Sequence, residues 1–350
     1  MKGLVFALVL LAVIGPTPSG AQTPAGQPAE KPAEKTARVS GQVFGDVYWI
    51  PASHDSSFDD QNGFWFRRIY LTYDRDLSDE YAIRLRLEAT SPSLNEPSDR
   101  LRPFMKDAYL KWAWGKRSLF LGLSPTPTWQ VIETFWPRAL EKTPADLQRF
   151  GDPADIGVAL KGTFGANAMW SYHVMIGAGT GTRSETDKDK KLYAALTVKP
   201  ATGWTLQAYG DWENRAGDRD RFTLHGFAVF DGTPYRAGLQ VLHQTRKQGP
   251  GAPDLGLDTV SLFGSRKLAD GLSAIGRVDR NFDPNPEGNR LPYLPFDPTA
   301  ASNLGILGLD WSPIESVHFM PNLEIVFYDR VRGVRPDTDV INRLTVYFTF

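Results

Sequence analysis

Apolar and polar residues alternate with a period of two along many short stretches of the chain. In segment 81–90, Ile83, Leu85 and Leu87 alternate with charged residues, and residues 343–350 repeat the pattern to the end of the sequence. Side chains that alternate in this way lie on opposite faces of an extended strand. The pattern therefore predicts strands with one apolar and one polar face.

About sixteen such segments follow one another, each close to the roughly ten residues that a tilted strand needs to cross a membrane. The predicted strands lie near residues 38–50, 63–76, 80–91, 103–114, 117–124, 155–164, 168–179, 190–199, 203–213, 220–231, 234–245, 256–266, 271–283, 303–312, 318–329 and 338–350. Every second connection is long, and those between are mostly short, except for a stretched one at 313–317. Alternating long and short connections are typical of outer-membrane barrels. We therefore predict an all-β fold, a transmembrane antiparallel β-barrel of about sixteen strands.

The third long connection, residues 125–154, is rich in proline and aromatic residues. A loop of this length without regular structure is unusual unless it has a function. We expect it to fold back into the lumen, where Glu133, Arg138, Glu141, Lys142 and Arg149 are candidate constriction charges. The alternatives are an outward cap, or charges that only hold the loop against the barrel wall.

Basic residues on the polar faces of the strands are candidates for lining the pore. They are Arg68, Arg84, Arg86, Lys111 and Arg343. A lysine or arginine facing lipid at mid-depth is destabilising by roughly 2–4 kcal/mol, which favours the lumen for all of them. Rings of such side chains attract permeating anions. Ion pairs along the wall without a selective role are an equally good interpretation.

Composition narrows the function classes. The chain has no cysteine, so disulfides and thiolate sites are excluded, and its formal net charge of −1 gives no sign of nucleic acid as a partner. Mean hydropathy is −0.32, the average expected when lipid-facing residues alternate with lumen-facing ones. The sequence shows no metal site and no cofactor motif.

The first residues predict export. Lys2 precedes a short apolar run at 4–14, and small residues before position 22 predict cleavage after Ala21. An uncleaved anchor is the less favoured alternative. Residues 22–37 are rich in proline and alanine and predict a disordered periplasmic tether. The predicted organisation is a signal peptide at 1–21, this tether, and a barrel at 38–350.

Three regions resemble the phosphate-selective porin family, the outer-membrane porins of the O and P type. Residues 64–76 and 81–89 look like its early arginine-bearing strand pair, and residues 119–161 are similar to its strand with a long loop. The family pattern falls on Gly122, Pro127, Glu133, Phe135, Arg138, Arg149, Asp155, Gly157 and Val158. The resemblance implies a homotrimeric channel in the outer membrane. The near-neutral charge leaves the sign of ion selectivity open.

The terminal Phe350 is similar to the carboxy-terminal signature of outer-membrane barrels, which the barrel-assembly machinery reads. Outer-membrane lipid and lipopolysaccharide are the other expected partners. The expected function is a water-filled channel for passive diffusion of small hydrophilic solutes or ions, with anions such as phosphate among them.

Two other classes remain open, a non-conducting barrel that serves as receptor or anchor, and a barrel hydrolase. The sequence has no Gly-x-Ser-x-Gly elbow and no paired histidine motif. His225 and His243 could come close to each other across neighbouring strands. The sequence does not indicate which serine or aspartate would complete a catalytic group with them. We therefore expect no enzymatic activity.

Overall fold

The structure, a computed structural model, describes residues 36–91 and 101–350. The predicted signal peptide and nearly all of the predicted tether lie outside the described residues. Sixteen strands form the fold. They are β1 (Ala37–Ala52), β2 (Gln61–Asp76), β3 (Tyr81–Thr90), β4 (Arg102–Trp114), β5 (Arg117–Pro125), β6 (Ala154–Phe164), β7 (Trp170–Gly177), β8 (Lys191–Val198), β9 (Trp204–Glu213), β10 (Arg221–Asp231), β11 (Tyr235–Arg246), β12 (Leu255–Ala269), β13 (Leu272–Asn281), β14 (Ser302–Ile314), β15 (Val317–Tyr328) and β16 (Asp339–Thr349).

Each strand pairs antiparallel with its sequence neighbours, and β1 pairs with β16 to close the barrel. The predicted all-β fold and the number of strands are confirmed. One connection differs, because β14 runs on to Ile314 and β15 begins at Val317. The stretched connection predicted at 313–317 is therefore wrong. A two-residue turn stands there, like the short turns elsewhere at this end.

The outer face of the barrel is apolar, and aromatic side chains line its rim at the end that carries the short turns. Exposed side chains such as Leu85, Leu262 and Leu307 point outward and alternate with inward-facing residues along their strands. At the end that carries the short turns, outward rings pair across neighbouring strands. These pairs are Tyr81 with Trp112, Phe164 with Trp170, Trp204 with Phe230, and Trp311 with Phe319. Amphipathic rings favour the boundary between hydrocarbon and water.

Two bulges interrupt the alternation on the inner face. The register of β1 and β2 shifts between Phe44 and Gly45, so that Arg67 and Arg68 both point inward. The register of β3 and β4 shifts in the same way and turns Lys106 and Asp107 inward together. A bulge adds one residue to one strand and re-aims its side chain. Each bulge therefore brings an additional charge into the lumen.

We number the outer loops L1 to L8 along the chain. L1 comprises residues 53–60, L3 residues 126–153 and L7 residues 282–301. L3 contains a one-turn helix, α1 (Pro144–Leu147). Side chains of L3 and L7 share one buried apolar cluster with inward residues of β1, β2, β10 and β12–β16. Among the described residues, no helix has both the length and the apolar character needed to cross a membrane.

Candidate functional site

L3 is held against the inner wall by buried arginines that donate to its backbone carbonyls. The Arg67 guanidinium donates to the carbonyl of Leu140 at 2.9 Å and also to that of Ala139. Arg343 of β16 donates to the same Leu140 carbonyl at 3.3 Å. It does so from the other side of the seam, the place where β1 pairs with β16. Backbone carbonyls inside a barrel need donors, because each unpaired buried polar group is costly. The arginines therefore fix the path of the loop.

A third arginine repeats this arrangement on the far wall. Arg277 of β13 donates to the carbonyl of Lys142, pairs with Asp279 and lies 5.0 Å from the ring centre of Trp136. Trp136 is buried and meets Phe263 of β12 edge-on at 5.8 Å. The apolar side of the loop is thus buried against β10–β13, where its aromatic side chains have partners.

Further hydrogen bonds extend along the rest of the loop. His225 contacts the Thr128 carbonyl at 2.7 Å, Gln244 donates to the Phe150 carbonyl at 2.7 Å, and Asn285 of L7 donates to the Gln148 carbonyl at 3.0 Å. L3 is therefore fastened along most of its length, to β10, β11 and a second loop. Such a loop is a fixed part of the lumen rather than a free lid.

L7 is a second inserted loop. The side chain of Tyr293 contacts three basic groups. Arg68 Nε donates to its hydroxyl at 3.3 Å, and the Arg67 guanidinium and Lys142 Nζ lie 4.9 and 5.9 Å from its ring centre. Leu291, Leu294 and Phe296 of L7 are buried in the same apolar cluster as L3. L3 and L7 together therefore fill the side of the lumen next to β1, β2 and β10–β16.

The wall formed by β3 and β4 keeps water-facing charges. Arg84 pairs with Asp74 at 2.7 Å and its side chain is 29% exposed. Arg86 lies 3.3 Å from Asp107, and its side chain is 25% exposed although that of Asp107 is 2% exposed. Lys111 shares this inner face, since its register partner is Phe120. These three predicted pore-lining residues therefore face the less filled side of the lumen.

The other two predicted pore-lining residues point inward but are covered. Arg68 is buried beside Glu88 and Asp146, at 3.7 and 3.6 Å. Arg343 is buried between Glu324 at 2.8 Å and Glu141 at 3.4 Å. The two side chains have carboxylate partners on more than one element. Their geometry is that of residues that hold the loop.

The candidate constriction charges of L3 divide into two groups. Arg138 and Glu133 pair at 3.4 Å, and both side chains are about one-fifth exposed. The Arg138 guanidinium also lies 4.9 Å from the ring centre of Tyr70, and that of Arg86 lies 5.7 Å from the same ring. Arg86 on the wall and Arg138 on the loop therefore both contact Tyr70, which lies between them.

Glu141, Lys142 and Arg149 serve other contacts. Glu141 is buried beside Arg343. Lys142, just before α1, pairs at 3.0 Å with Asp146 inside this helix, four residues along the chain. Burial acts to raise the pKa of Asp146, but the charges of Lys142 and Arg68 outweigh it and lower that pKa. Arg149 lies at the outer end of the loop and pairs with Glu287 of L7 at 3.4 Å.

Several residues of this site were not predicted from the sequence, chiefly Arg67, Arg277, Tyr70 and the whole of L7. Alternation alone places Arg67 on the lipid face, and only the arginine doublet at 67–68 signals a bulge. L7 carries five prolines and four apolar side chains that the cluster buries, the same composition that pointed to L3. Composition was therefore a usable signal for the second loop.

The histidines do not form a catalytic arrangement. The expected approach of His225 and His243 is wrong, because His225 points inward to Thr128 and His243 points outward to Asp258 at 2.8 Å. Ser53 and His54 both contact Asp339, at 2.7 and 2.8 Å. The Ser53 hydroxyl donates to the carboxylate and not to the imidazole, which is unlike an activated nucleophile. Within the described ranges, no three His, Asp or Glu side chains could hold a metal ion.

Neither a protein-family model nor a curated protein sequence matches the chain. Solved structures do. An anion-selective porin from Comamonas acidovorans superposes with a TM-score of 0.65 at 10% identity, over 91% of this chain and 100% of that one. The outer membrane channel DcaP of Acinetobacter baumannii gives 0.61 at 12% identity, over 92% and 99%.

The trimer form of OmpT, an outer membrane protein of Vibrio cholerae, gives 0.63 at 11% identity, over 90% and 99% of the two chains. At these identities the shared property is the fold. The porin-type barrel predicted from the sequence is thus confirmed, and membership of the phosphate-selective family stays a prediction.

Proposed function

We propose that this protein is an outer-membrane channel for the passive diffusion of small hydrophilic solutes. The observation that carries the proposal is the asymmetry of the lumen. L3 and L7 fill the side next to β1, β2 and β10–β16, whereas Arg84 and Arg86 on the β3 wall keep about a quarter of their side chains exposed. A barrel of this strand number leaves an aqueous channel that an inserted loop narrows.

The placement in the outer membrane is supported by the outer surface. Its apolar band carries aromatic pairs along the end with the short turns, the arrangement of barrels that contact lipid on all sides. Phe350 closes the seam, because its backbone exchanges two hydrogen bonds with Gly41 at 2.8 and 3.1 Å. We propose that lipid and lipopolysaccharide surround the barrel, and that the assembly machinery recognises Phe350.

A homotrimer is the proposed assembly. The support is the fold shared with the trimer form of OmpT from Vibrio cholerae. Cross-linking of the refolded protein in detergent, analysed without heating, tests it. A ladder that ends at three copies is expected, and a single band at the mass of one barrel contradicts it.

We further propose a weak preference for anions at the constriction. The water-facing charges there are Arg84, Arg86 and Arg138 against Asp74 and Glu133, while Asp107 is covered. A ring of charges with one sign in excess attracts the opposite ion. The solved structure of an anion-selective porin with the same fold agrees with this sign.

Planar-bilayer recording of the purified, refolded protein tests the function. Discrete conductance steps are expected in symmetric potassium chloride, with a reversal potential of anion-selective sign across a salt gradient. The heat-denatured protein in the same detergent is the control. A folded, heat-modifiable barrel that gives no steps contradicts the channel and favours an anchor, a receptor or an enzyme.

A further inference from the structure

A polar recess lies in the wall of the lumen beneath the first residues of L3. Side chains of four neighbouring strands and of the loop line it: Gln130, Lys161, Ser171, His173, Thr197 and Gln207. The cavity measures about 330 Å³, enough for on the order of ten waters. We call it the β6–β9 recess.

The strand register creates this recess. Lys161, His173 and Ala195 are direct register partners on β6, β7 and β8, and the next partner along this row is Tyr209. Ala195 is the small member of the row. Its neighbours are long, so the wall is hollow at that point, and L3 covers the hollow with Gln130.

Two polar groups of the recess are buried without a partner. His173 is 8% exposed and Gln207 is 6% exposed. Within the described residues, His173 Nε2 and Gln207 Oε1 have no hydrogen-bond partner. The Gln207 amide nitrogen is satisfied by Thr197 at 3.0 Å, so it is the carbonyl oxygen that is left over. A buried acceptor of this kind calls for a donor from a ligand or from water.

The charge of the recess has one sign. Lys116 and Lys161 line it, and no described aspartate or glutamate does. Lys161 Nζ contacts the Gln130 side-chain oxygen at 3.2 Å and lies 4.7 Å from the ring centre of Phe120. An ammonium held by an amide and a ring, without a carboxylate, is available to a ligand anion.

The unpaired Gln207 oxygen and the lysine ammonium groups of the recess define the chemical class of the ligand. The ammonium groups require an anionic acceptor, and the Gln207 oxygen requires a donor. The serine and threonine hydroxyls around them can act in either role. An ionised phosphate offers almost no donors, and a neutral sugar offers no charge.

We propose that the β6–β9 recess binds a small hydroxylated carboxylate, a sugar acid, through its carboxylate at Lys161 and its hydroxyls at Gln207 and Thr197. The assignment rests on the proposed channel, because a solute reaches the recess through the lumen. The recess is a binding site along the diffusion path, and the solute is bound and released there without a chemical step.

Calorimetric titration of the refolded protein in detergent tests the proposal without any conductance measurement. We expect sodium D-glucuronate to bind saturably, and D-glucose and inorganic phosphate each to bind at least tenfold more weakly. Equal binding of glucose shows that charge is not read, and tighter binding of phosphate shows that hydroxyls are not read. Either result, or no binding of glucuronate, overturns the proposal.

Two variants with matched controls locate the site. Lys161→Met should weaken glucuronate binding about tenfold, and Lys199→Met in an exposed turn should leave it unchanged. Ala195→Val should weaken it by filling the hollow without removing a polar group, and the outward Ala194→Val is its control. Each variant is first shown to run as a heat-modifiable barrel. Equal effects of a variant and its control overturn the assignment.

The outcomes also separate this site from the channel. Glucuronate binding without conductance steps retains the recess and contradicts the channel. Conductance steps without glucuronate binding retain the channel and contradict the recess.

Discussion

Arg67 is the side chain on which the inserted loop depends most. It occupies the bulge of β2, is fully buried, and joins Asp46 at 2.5 Å to the carbonyls of Ala139 and Leu140. Asp46 also accepts from Trp65 at 2.6 Å. The Arg67 guanidinium thus links β1, next to its pairing with β16, to the backbone of L3.

Replacing Arg67 by methionine should destabilise the barrel by about 3–5 kcal/mol, because it leaves the Asp46 carboxylate buried without its charged partner. The measurement is urea unfolding of the protein in lipid vesicles. Arg75→Met, on the exposed part of the same strand, is the control and should stay close to the wild type. The loop role is contradicted if both variants unfold at the same urea concentration.

His54 connects L1 to the start of β16 through a pH-sensitive contact. Burial alone lowers the pKa of His54, but the hydrogen bond to Asp339 and the charges of Asp339, Asp297 and Asp55 outweigh it and raise that pKa. A raised pKa means that the folded state favours the protonated ring. Its stabilising effect is complete below the ordinary value near 6.5 and is lost as the pH rises through the folded-state pKa.

We therefore expect the free energy of unfolding to fall between pH 6 and pH 9 by more in the wild type than in His54→Gln. Urea titrations across this pH range measure the difference. His243→Gln, which removes a histidine on the outer face away from Asp339, serves as the comparison. A wild-type slope in His54→Gln as well would show that the contact with Asp339 does not titrate.

At the scale of elements, the strands could be predicted and the details of the inner face could not. A period-two pattern records which face of a strand is apolar, and it located all sixteen strands. It cannot register an inserted residue, so it assigned Arg68 to the lumen and left Arg67 and Lys106 on the opposite, outward face. Both additional charges are used in buried contacts, since Arg67 donates to the Leu140 carbonyl of L3 and Lys106 pairs with Glu88 at 3.1 Å.

The candidate site was predictable in part for the same reason. Loop length and composition pointed to L3, and the alternation placed Arg84, Arg86 and Lys111 on the inner face. Which loop charges meet which wall charges depends on how L3 and L7 pack against each other. The sequence carries no local signal for the contact of Arg68 with Tyr293, since 225 positions separate them.

The seam between the first and last strands depends on a glycine. A Cβ built on Gly41 would lie 2.1 Å from the tip of the Phe350 ring. Gly41→Ala should therefore displace the ring. Because the Phe350 side chain is largely exposed and can move, we expect the stability to fall by at most about 1 kcal/mol, the lower end of the range for overpacking. The measurement is the fraction of heat-modifiable protein after refolding.

Gly226→Ala is the control for this seam variant, because a Cβ at Gly226 meets nothing within 4 Å. We expect it to refold as the wild type does. Equal refolding of Gly41→Ala would show that Phe350 has another place on the barrel surface. It would then remove the steric argument for this glycine.

At the scale of the whole molecule, the sign of ion selectivity depends on few charges, because the net charge of the chain is only −1. Most lumen charges are paired and covered, among them Arg343 with Glu324 and Lys191 with Asp211. Covered pairs contribute little to the potential that a passing ion meets. The partly exposed Arg84, Arg86 and Arg138 therefore contribute more to that potential than their number suggests.

The double variant Arg86→Gln and Arg138→Gln removes the charges on the two sides of Tyr70. We expect the reversal potential across a salt gradient to move toward the cation-selective sign, since Asp74 and Glu133 remain exposed there. The single-channel conductance should change less than the selectivity, because glutamine occupies similar space. Arg117→Gln, at an exposed position at the start of β5, is the control and should keep the wild-type potential. An unchanged potential in the double variant would place the selective charges elsewhere, with Lys111 and Lys161 on the same side of the lumen as the next residues to replace.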